Sequence, residues 1–153
     1  MKAQNVSIIG LGRLGASIGL AVKKSSASIT VIGHDRNQDV AKIAQSPVGA
    51  VDKVEANARN LASRADILVL AVPMSELEPL LSVIGDVIQP HALILDFSSL
   101  KQPGLKWAAK YLAQGHYVGA SPVLAADWLT DGRVEMEAAS ADLFKNSIFC
   151  LMP

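Results

Sequence analysis

Three glycines set between an apolar strand and an amphipathic helix constrain this chain more than any other feature. Residues 6–9 read VSII, and Gly10-Leu-Gly12-Arg-Leu-Gly15 follows at once. Leu14, Ile18, Ala21 and Val22 then recur at spacings of four, three and one, which places them on one face of a helix running to Lys24. A G-x-G-x-x-G element in that strand–turn–helix setting is the fingerprint of a dinucleotide-binding crossover. Each glycine has a steric task. Gly10 permits the tight turn, Gly12 lacks the Cβ that would hold a pyrophosphate off the backbone, and Gly15 lets the helix lie close to the strand. The unbonded N–H groups of the first helical turn, together with the helix dipole, favour the phosphate charge. Arg13 and Leu14, between the last two glycines, are candidate cofactor contacts with them. Ser17 is expected near the phosphates, and Gly19 at a close helix–sheet contact.

The rest of the chain continues the alternation. Residues 29–32 (ITVI) read as a second strand ended by Gly33, and residues 37–45 as a helix stopped near Pro47 and Gly49. Residues 50–51 read as a brief third strand and residues 56–63 as a short helix. Residues 66–72 (DILVLAV) form a nearly unbroken apolar run closed by Pro73. Such a run suits a central parallel strand covered on both faces. Leu77, Leu80, Leu81 and Ile84 make a helical stripe, residues 92–97 (ALILDF) another buried strand, and residues 103–113 a helix. Residues 117–119 and 147–151 read as two more strands, with a helix over 135–145 between them. The expected fold is α/β, a Rossmann-type doubly wound, mostly parallel sheet with helices on both faces, in a single domain over residues 1–153.

At the end of the second strand stands Gly33-His34-Asp35-Arg36. Asp35 lies 20 residues past Gly15, where an acid hydrogen-bonds the adenosine ribose of NAD and repels the extra phosphate of NADP. Arg36 pulls the other way, since a guanidinium there can pair with that phosphate or stack on adenine. NAD is the expected cofactor, with NADP the alternative. His34 reads as an exposed turn residue.

Composition narrows the partners. The 14 basic and 14 acidic residues sum to zero, which gives no reason to expect nucleic acid or an acidic membrane surface. The single cysteine, Cys150, rules out a disulfide framework and reads as a buried structural thiol suited to a reducing compartment. The apolar stretch near the N-terminus runs straight into the glycines rather than ending in a cleavage site, and no apolar run approaches the ~20 residues of a membrane helix. A cytoplasmic protein with a small-molecule substrate is the expectation, and no metal site is assigned.

Beyond the glycines, several segments carry a resemblance. They are GLGRLGASIGLAVK from Gly10, GHDR from Gly33, Val51-Asp52, ADILVLAVP ending at Pro73, DFSSLK from Asp96 to Lys101, YVGASP from Tyr117 to Pro122, and the closing ADLFKNSIFCLMP. Together they resemble the cofactor domain of the prephenate and arogenate dehydrogenases of tyrosine biosynthesis, over almost the whole chain. The resemblance implies an oxidoreductase in which hydride passes from prephenate or arogenate to NAD. It implies that Ala71, Val72 and Pro73 follow the cofactor's phosphate–ribose path, that Ser99 sits near nicotinamide and substrate, and that Lys101 anchors the loop of Ser99.

Two departures accompany it. Where the family has a histidine before a proline, accepting the substrate's hydroxyl proton, this chain has Ser121, which has no basicity near neutral pH. Ser99 and Ser121 are the candidate catalytic positions. Members of the family also continue into a helical domain that closes the substrate site and forms a homodimer, whereas this sequence ends at Pro153. The expectation is a fragment or a stand-alone cofactor domain, with dimerisation tied to a longer chain. Alternative functions are a dehydrogenase or reductase acting on another small acid or imine, and a catalytically silent NAD-binding regulatory module.

Overall fold

Strands and helices alternate along the computed structural model, which describes residues 5–129, 132–133 and 135–153. The order is β1 (Asn5–Ile9), α1 (Arg13–Ser25), β2 (Thr30–His34), α2 (Gln38–Gln45), β3 (Lys53–Val54), α3 (Ala58–Ala62) and β4 (Ile67–Leu70). It continues with α4 (Met74–Ile84), β5 (Leu93–Asp96), α5 (Lys101–Tyr111), β6 (His116–Val123), α6 (Ala126–Leu129), a 3₁₀ turn (Met136–Ala138) and β7 (Ile148–Met152). The described strands form one sheet in the order β3-β2-β1-β4-β5-β6-β7. Every neighbouring pair is parallel except β6 and β7, which run antiparallel. The chain winds outward from β1 in one direction as far as β3, then returns to the other side of β1 with β4. That reversal opens a crevice at the C-terminal ends of β1 and β4, the place where open α/β sheets bind ligands.

Burial on both faces explains the unbroken apolar runs. Val6 and Ile8 of β1, Val31 of β2 and Val69 of β4 pack in one layer with Ala16 and Ile18 of α1 and Ala41 and Ala44 of α2. Ile9, Leu68, Leu70 and Ile94 point the other way, against Leu61 of α3 and Leu77, Leu81 and Ile84 of α4. Strand side chains alternate with period two, so a strand roofed on both sides needs an apolar residue at every position. Each large side chain so buried contributes about 1.5–3 kcal/mol.

Two sequence expectations fail for one reason. Ala50 and Val51 are 0% and 1% exposed, yet they form no strand; β3 begins at Lys53. Their apolarity serves the turn after α2, where the Ala50 amide closes on the Ala44 carbonyl and the Ala50 backbone packs under Gly19. The expected helix over 135–145 is likewise replaced by the short 3₁₀ turn and further turns. Met136 and Leu143 are buried. They pin an irregular segment against the domain, so their spacing reports packing rather than helical periodicity.

Asp52 ties this region together. Its Oδ2 accepts the Val31 amide at 2.9 Å, and its Oδ1 pairs with Lys23 Nζ at 2.7 Å. Burial raises its pKa, but the Lys23 ammonium and the Val31 N–H outweigh that and hold it below the 3.8 of a free aspartate. A carboxylate with a lowered folded pKa stabilises above its unfolded pKa and loses that contribution as pH falls through the folded one. Asp52→Asn is therefore expected to cost about 1 kcal/mol at pH 7, modest because solvent screens this partly exposed pair. The difference from the parent should shrink as pH drops below 3.8, a trend that urea denaturation at several pH values will measure.

Cys150 overturns its expectation outright: it is exposed. β7 is the last strand of the sheet, and Ile148, Phe149 and Leu151 beside Cys150 are 68%, 41% and 60% exposed. An apolar strand is buried only when another layer covers it, and here Phe97 and Phe144 pack on Phe149 while Ile148, Cys150 and Leu151 stay exposed. Among the described residues, no helix is long and apolar enough to cross a membrane.

Candidate functional site

The glycine loop shapes the floor of the crevice. Gly10 has a φ of +92°, a conformation side chains rarely adopt, and its amide donates to the His34 carbonyl at 2.9 Å. A Cβ there would stand 2.5 Å from the Ala71 carbonyl oxygen. Gly15 is equally confined, since its Cβ would fall 1.9 Å from the Gly10 carbonyl oxygen. Gly12 differs from both. It is the N-cap of α1 with an ordinary φ of −66°, no side chain caps the helix, and a Cβ on it would meet nothing within 4 Å. Gly10 and Gly15 are thus required by the fold, while Gly12 faces open space over the positive end of a helix. That opening fits a phosphate group.

Around this floor lies a cleft of about 720 Å³, within the size range of small-molecule sites. It is lined by Gly10, Gly12 and Leu14 from the loop, by Asp35 and Arg36 after β2, and by Ala71, Val72 and Pro73 after β4. Ser99 lines it after β5. These expected site residues, far apart in sequence, therefore share one cavity. Gly15 sits behind the loop and shapes it from within. Arg13 is not among the lining residues; its guanidinium donates to the Arg133 carbonyl. Ser17 also departs from expectation: it is fully buried, and its Oγ accepts the Ser140 amide at 3.0 Å. The segment over α1 that hides Ser17 has no signature near it in the sequence.

Asp35 is half-buried and does two structural jobs. Its Oδ2 accepts the Leu11 amide at 2.9 Å, tying the glycine loop to β2, and its Oδ1 accepts the Asn37 amide at 2.9 Å. Asn37, in turn, caps α2 through the Asp39 amide. His34 is the last residue of β2 rather than an exposed turn residue; it lies half-buried at the cleft with Nδ1 2.9 Å from the Glu55 carbonyl oxygen. Arg36 reaches across to Glu76 in the first turn of α4 and forms an ion pair with it.

The wall contributed by α4 was missed in the sequence. Glu76, Pro79, Leu80 and Val83 all line the cleft. They recur at three- and four-residue spacing, so they form a second helical face beside the core stripe of Leu77, Leu81 and Ile84. Val83, 48% exposed, was the readable signal: an apolar residue off the core face. Phe97, read only as the end of a strand, also lines the cleft and is buttressed edge-on by Phe149 of β7 with centroids 6.2 Å apart.

A buried polar network holds the β5 end of the cleft. Asp96 is 0% exposed; its Oδ1 accepts the Ser98 amide and its Oδ2 the Ser98 hydroxyl, both at 2.7 Å. Lys101 is also largely buried, and its ammonium donates to the carbonyls of Asp96 at 2.8 Å, Ser98 at 2.5 Å and Ala120 at 2.8 Å. Burial draws the Lys101 pKa below its ordinary value, and nearby Asp96 offsets part of that. The Tyr117 hydroxyl is buried here too, and burial first, then the Asp96 charge, push its ionisation far above that of a free tyrosine. Lys101 thus anchors the loop that presents Ser99, as the resemblance implied.

Ser121 lies on the same edge of the sheet but outside the lining residues. β6 pairs with β5 from His116 as far as Gly119 and extends beyond it, so Ser121 stands past the end of β5, next to the Ala120 carbonyl that Lys101 holds. The expectation had ended this strand at residue 119. The extra residues are held by pairing with β7, where Ser121 faces Cys150.

A model of the family described as "Prephenate dehydrogenase, nucleotide-binding domain" matches residues 18–153. Its match begins after the glycine loop, so the loop geometry is an independent observation. The chain is 30% identical, over 97% of its length, to prephenate dehydrogenase of Lactococcus lactis subsp. cremoris, and spans 40% of that protein. Among solved structures it superposes on prephenate dehydrogenase of A. aeolicus, in complex with hydroxyphenyl propionate and NAD+, with a TM-score of 0.85. That match is at 19% identity, over 100% of this chain and 51% of the other. Synechocystis arogenate dehydrogenase gives a TM-score of 0.83 at 23% identity, over 98% of this chain and 50% of that one. These structural likenesses speak to the fold. With the family match extending from α1 to the last residue, the chain belongs to the family of prephenate dehydrogenase nucleotide-binding domains.

Proposed function

We propose that the cleft binds NAD and that this chain is the cofactor-binding part of a dehydrogenase of the prephenate and arogenate class. The observation that carries the reading is Gly12, open above the uncapped first turn of α1 in a cleft at the reversal point of the sheet. The amides of that turn would take the pyrophosphate. Asp35 would take the adenosine ribose hydroxyls with the acceptor capacity left after its two backbone bonds. Ala71, Val72 and Pro73 would flank the path toward the β5 end, where Ser99 would meet the nicotinamide and the substrate. When bound, the cofactor supplies a hydride acceptor. The protein's own part is to orient it, to exclude water with the apolar walls of Val72, Leu80 and Phe97, and to place a proton acceptor beside the substrate.

That last part is what the resemblance gives to a histidine where this chain has Ser121. It has three histidines. His34 lies at the β2 end of the cleft, His91 pairs with Asp66 at the opposite edge of the sheet, and His116 opens β6 at that same far edge. None of them stands by Ser99 and Ser121. This is the observation behind a second reading, a catalytically silent NAD-binding module. A small-molecule substrate, a cytoplasmic location and a homodimer formed by a longer chain complete the first reading.

Thermal shift with NAD+ and NADP+ tests the binding, and spectrophotometric turnover of prephenate and arogenate tests the activity. Ser121→His is expected to raise turnover by about 100-fold, the lower range of general-base contributions. Tight NAD+ binding with no turnover in either form supports the silent module. Turnover of another small acid or imine instead would move the chain to a different dehydrogenase of the same fold.

A further inference from the structure

Arg36 and Glu76 join the two banks of the cleft. Arg36 follows β2, Glu76 belongs to α4 after β4, and their side chains form an ion pair although 40 residues separate them. Both line the cleft. Arg36 is the single lysine or arginine among the described lining residues, and Asp35 beside it is the second carboxylate. The β2 end of the cleft therefore holds two carboxylates and one guanidinium. The guanidinium, 79% exposed and on a flexible stem, is held by Glu76, which is 38% exposed.

We propose that Glu76 is a specificity-determining residue that selects against a phosphorylated adenosine ribose by engaging the Arg36 guanidinium across the cleft. The proposal rests on the dinucleotide reading of this cleft. A phosphate on the ribose hydroxyl beside Asp35 would need a cation to offset that aspartate. Arg36 is placed for it, and bidentate pairing with phosphate is what a guanidinium does best. Glu76 already engages one of the nitrogens, Nη1, that such a phosphate would use, and its own charge adds to the repulsion. An arginine after an aspartate at this position then reads as NADP-tolerant in sequence yet behaves as NAD-selective in the fold, because its counter-ion comes from a different helix.

The test is the ratio of NADP+ to NAD+ affinity, measured by calorimetry on the parent, on Glu76→Gln, and on Glu76→Gln combined with Arg36→Ala. Glu76→Gln is expected to raise the ratio about tenfold, with the gain shrinking at high salt as for any exposed charge contact. The double variant should lose that gain, which separates release of Arg36 from a general drop in negative charge. If the ratio stays at the parent value in Glu76→Gln, or the gain persists without Arg36, the assignment of Glu76 is overturned while the dinucleotide reading stands. If the parent ignores NAD+ at millimolar concentration, both are overturned.

Discussion

Gly12→Val is expected to yield a folded protein that binds NAD+ at least about 100-fold more weakly, the loss of one or two charge-assisted backbone contacts to the pyrophosphate. Nothing lies within 4 Å of a Cβ at this position, and the backbone there has a φ that any residue adopts, so the side chain meets no clash and costs the fold only the modest penalty of valine at an N-cap. The isopropyl group would instead fill the space above the first turn of α1. Gly15→Ala is the counterpart. A single methyl group would be driven to within 1.9 Å of the Gly10 carbonyl oxygen, backbone that cannot move without breaking the turn. Forcing atoms into a well-packed site costs about 1–3 kcal/mol and more when backbone must shift. Gly15→Ala should therefore lower the urea midpoint sharply, while Gly12→Val should leave it near the parent. The same two proteins titrated with NAD+ complete the contrast. If Gly12→Val retains parental affinity, no diphosphate sits over this helix, and the functional reading loses its main support.

Lys101→Met should be the most destabilising change on the β5 side, at about 3 kcal/mol. The ammonium serves three carbonyls and stands 4.0 Å from the Asp96 carboxylate, all in a largely dry setting. A thioether of similar length fills the volume but leaves those acceptors unserved, and removing one partner of a buried charged group typically costs about 3–5 kcal/mol. The two Ser98 contacts to Asp96 soften the loss, hence the lower end of that range. Adding Asp96→Asn to Lys101→Met should recover part of it. A coupling above about 1 kcal/mol in the double-mutant cycle will show that the two act as a unit. Independent effects would mean that Lys101 works through the carbonyls alone. Because its bonds join the end of β5, the Ser98 turn and β6, the substitution should also loosen Ser99 and weaken cofactor binding more than stability alone accounts for.

Much of the fold and about half of the site could be read directly along the chain, and the division has a physical origin. The VSII strand, the three glycines and the helix after them are specified by short-range effects: side-chain period, the absence of Cβ atoms, and the unbonded amides of a helix end. These do not depend on what packs nearby. The position of Asp35 followed from the length of one crossover, and the doubly wound sheet from alternation alone.

Coverage and long-range pairing were decided elsewhere. Period shows which face of an element is apolar, but not whether anything lies upon it. Cys150 therefore looked buried and is exposed, while Ala50 and Val51 looked like a strand and line a buried turn. Ser17 was aimed at a phosphate by its place on α1, yet a segment some 120 residues later closes over it. The meeting of Arg36 with Glu76, and of Lys101 with the Ala120 carbonyl, requires β4 to return beside β1 and β6 to extend past β5. Charge chemistry in the cleft is set by which strands become neighbours, and neighbour choice is a free-energy balance over the whole core that no local stretch of residues contains.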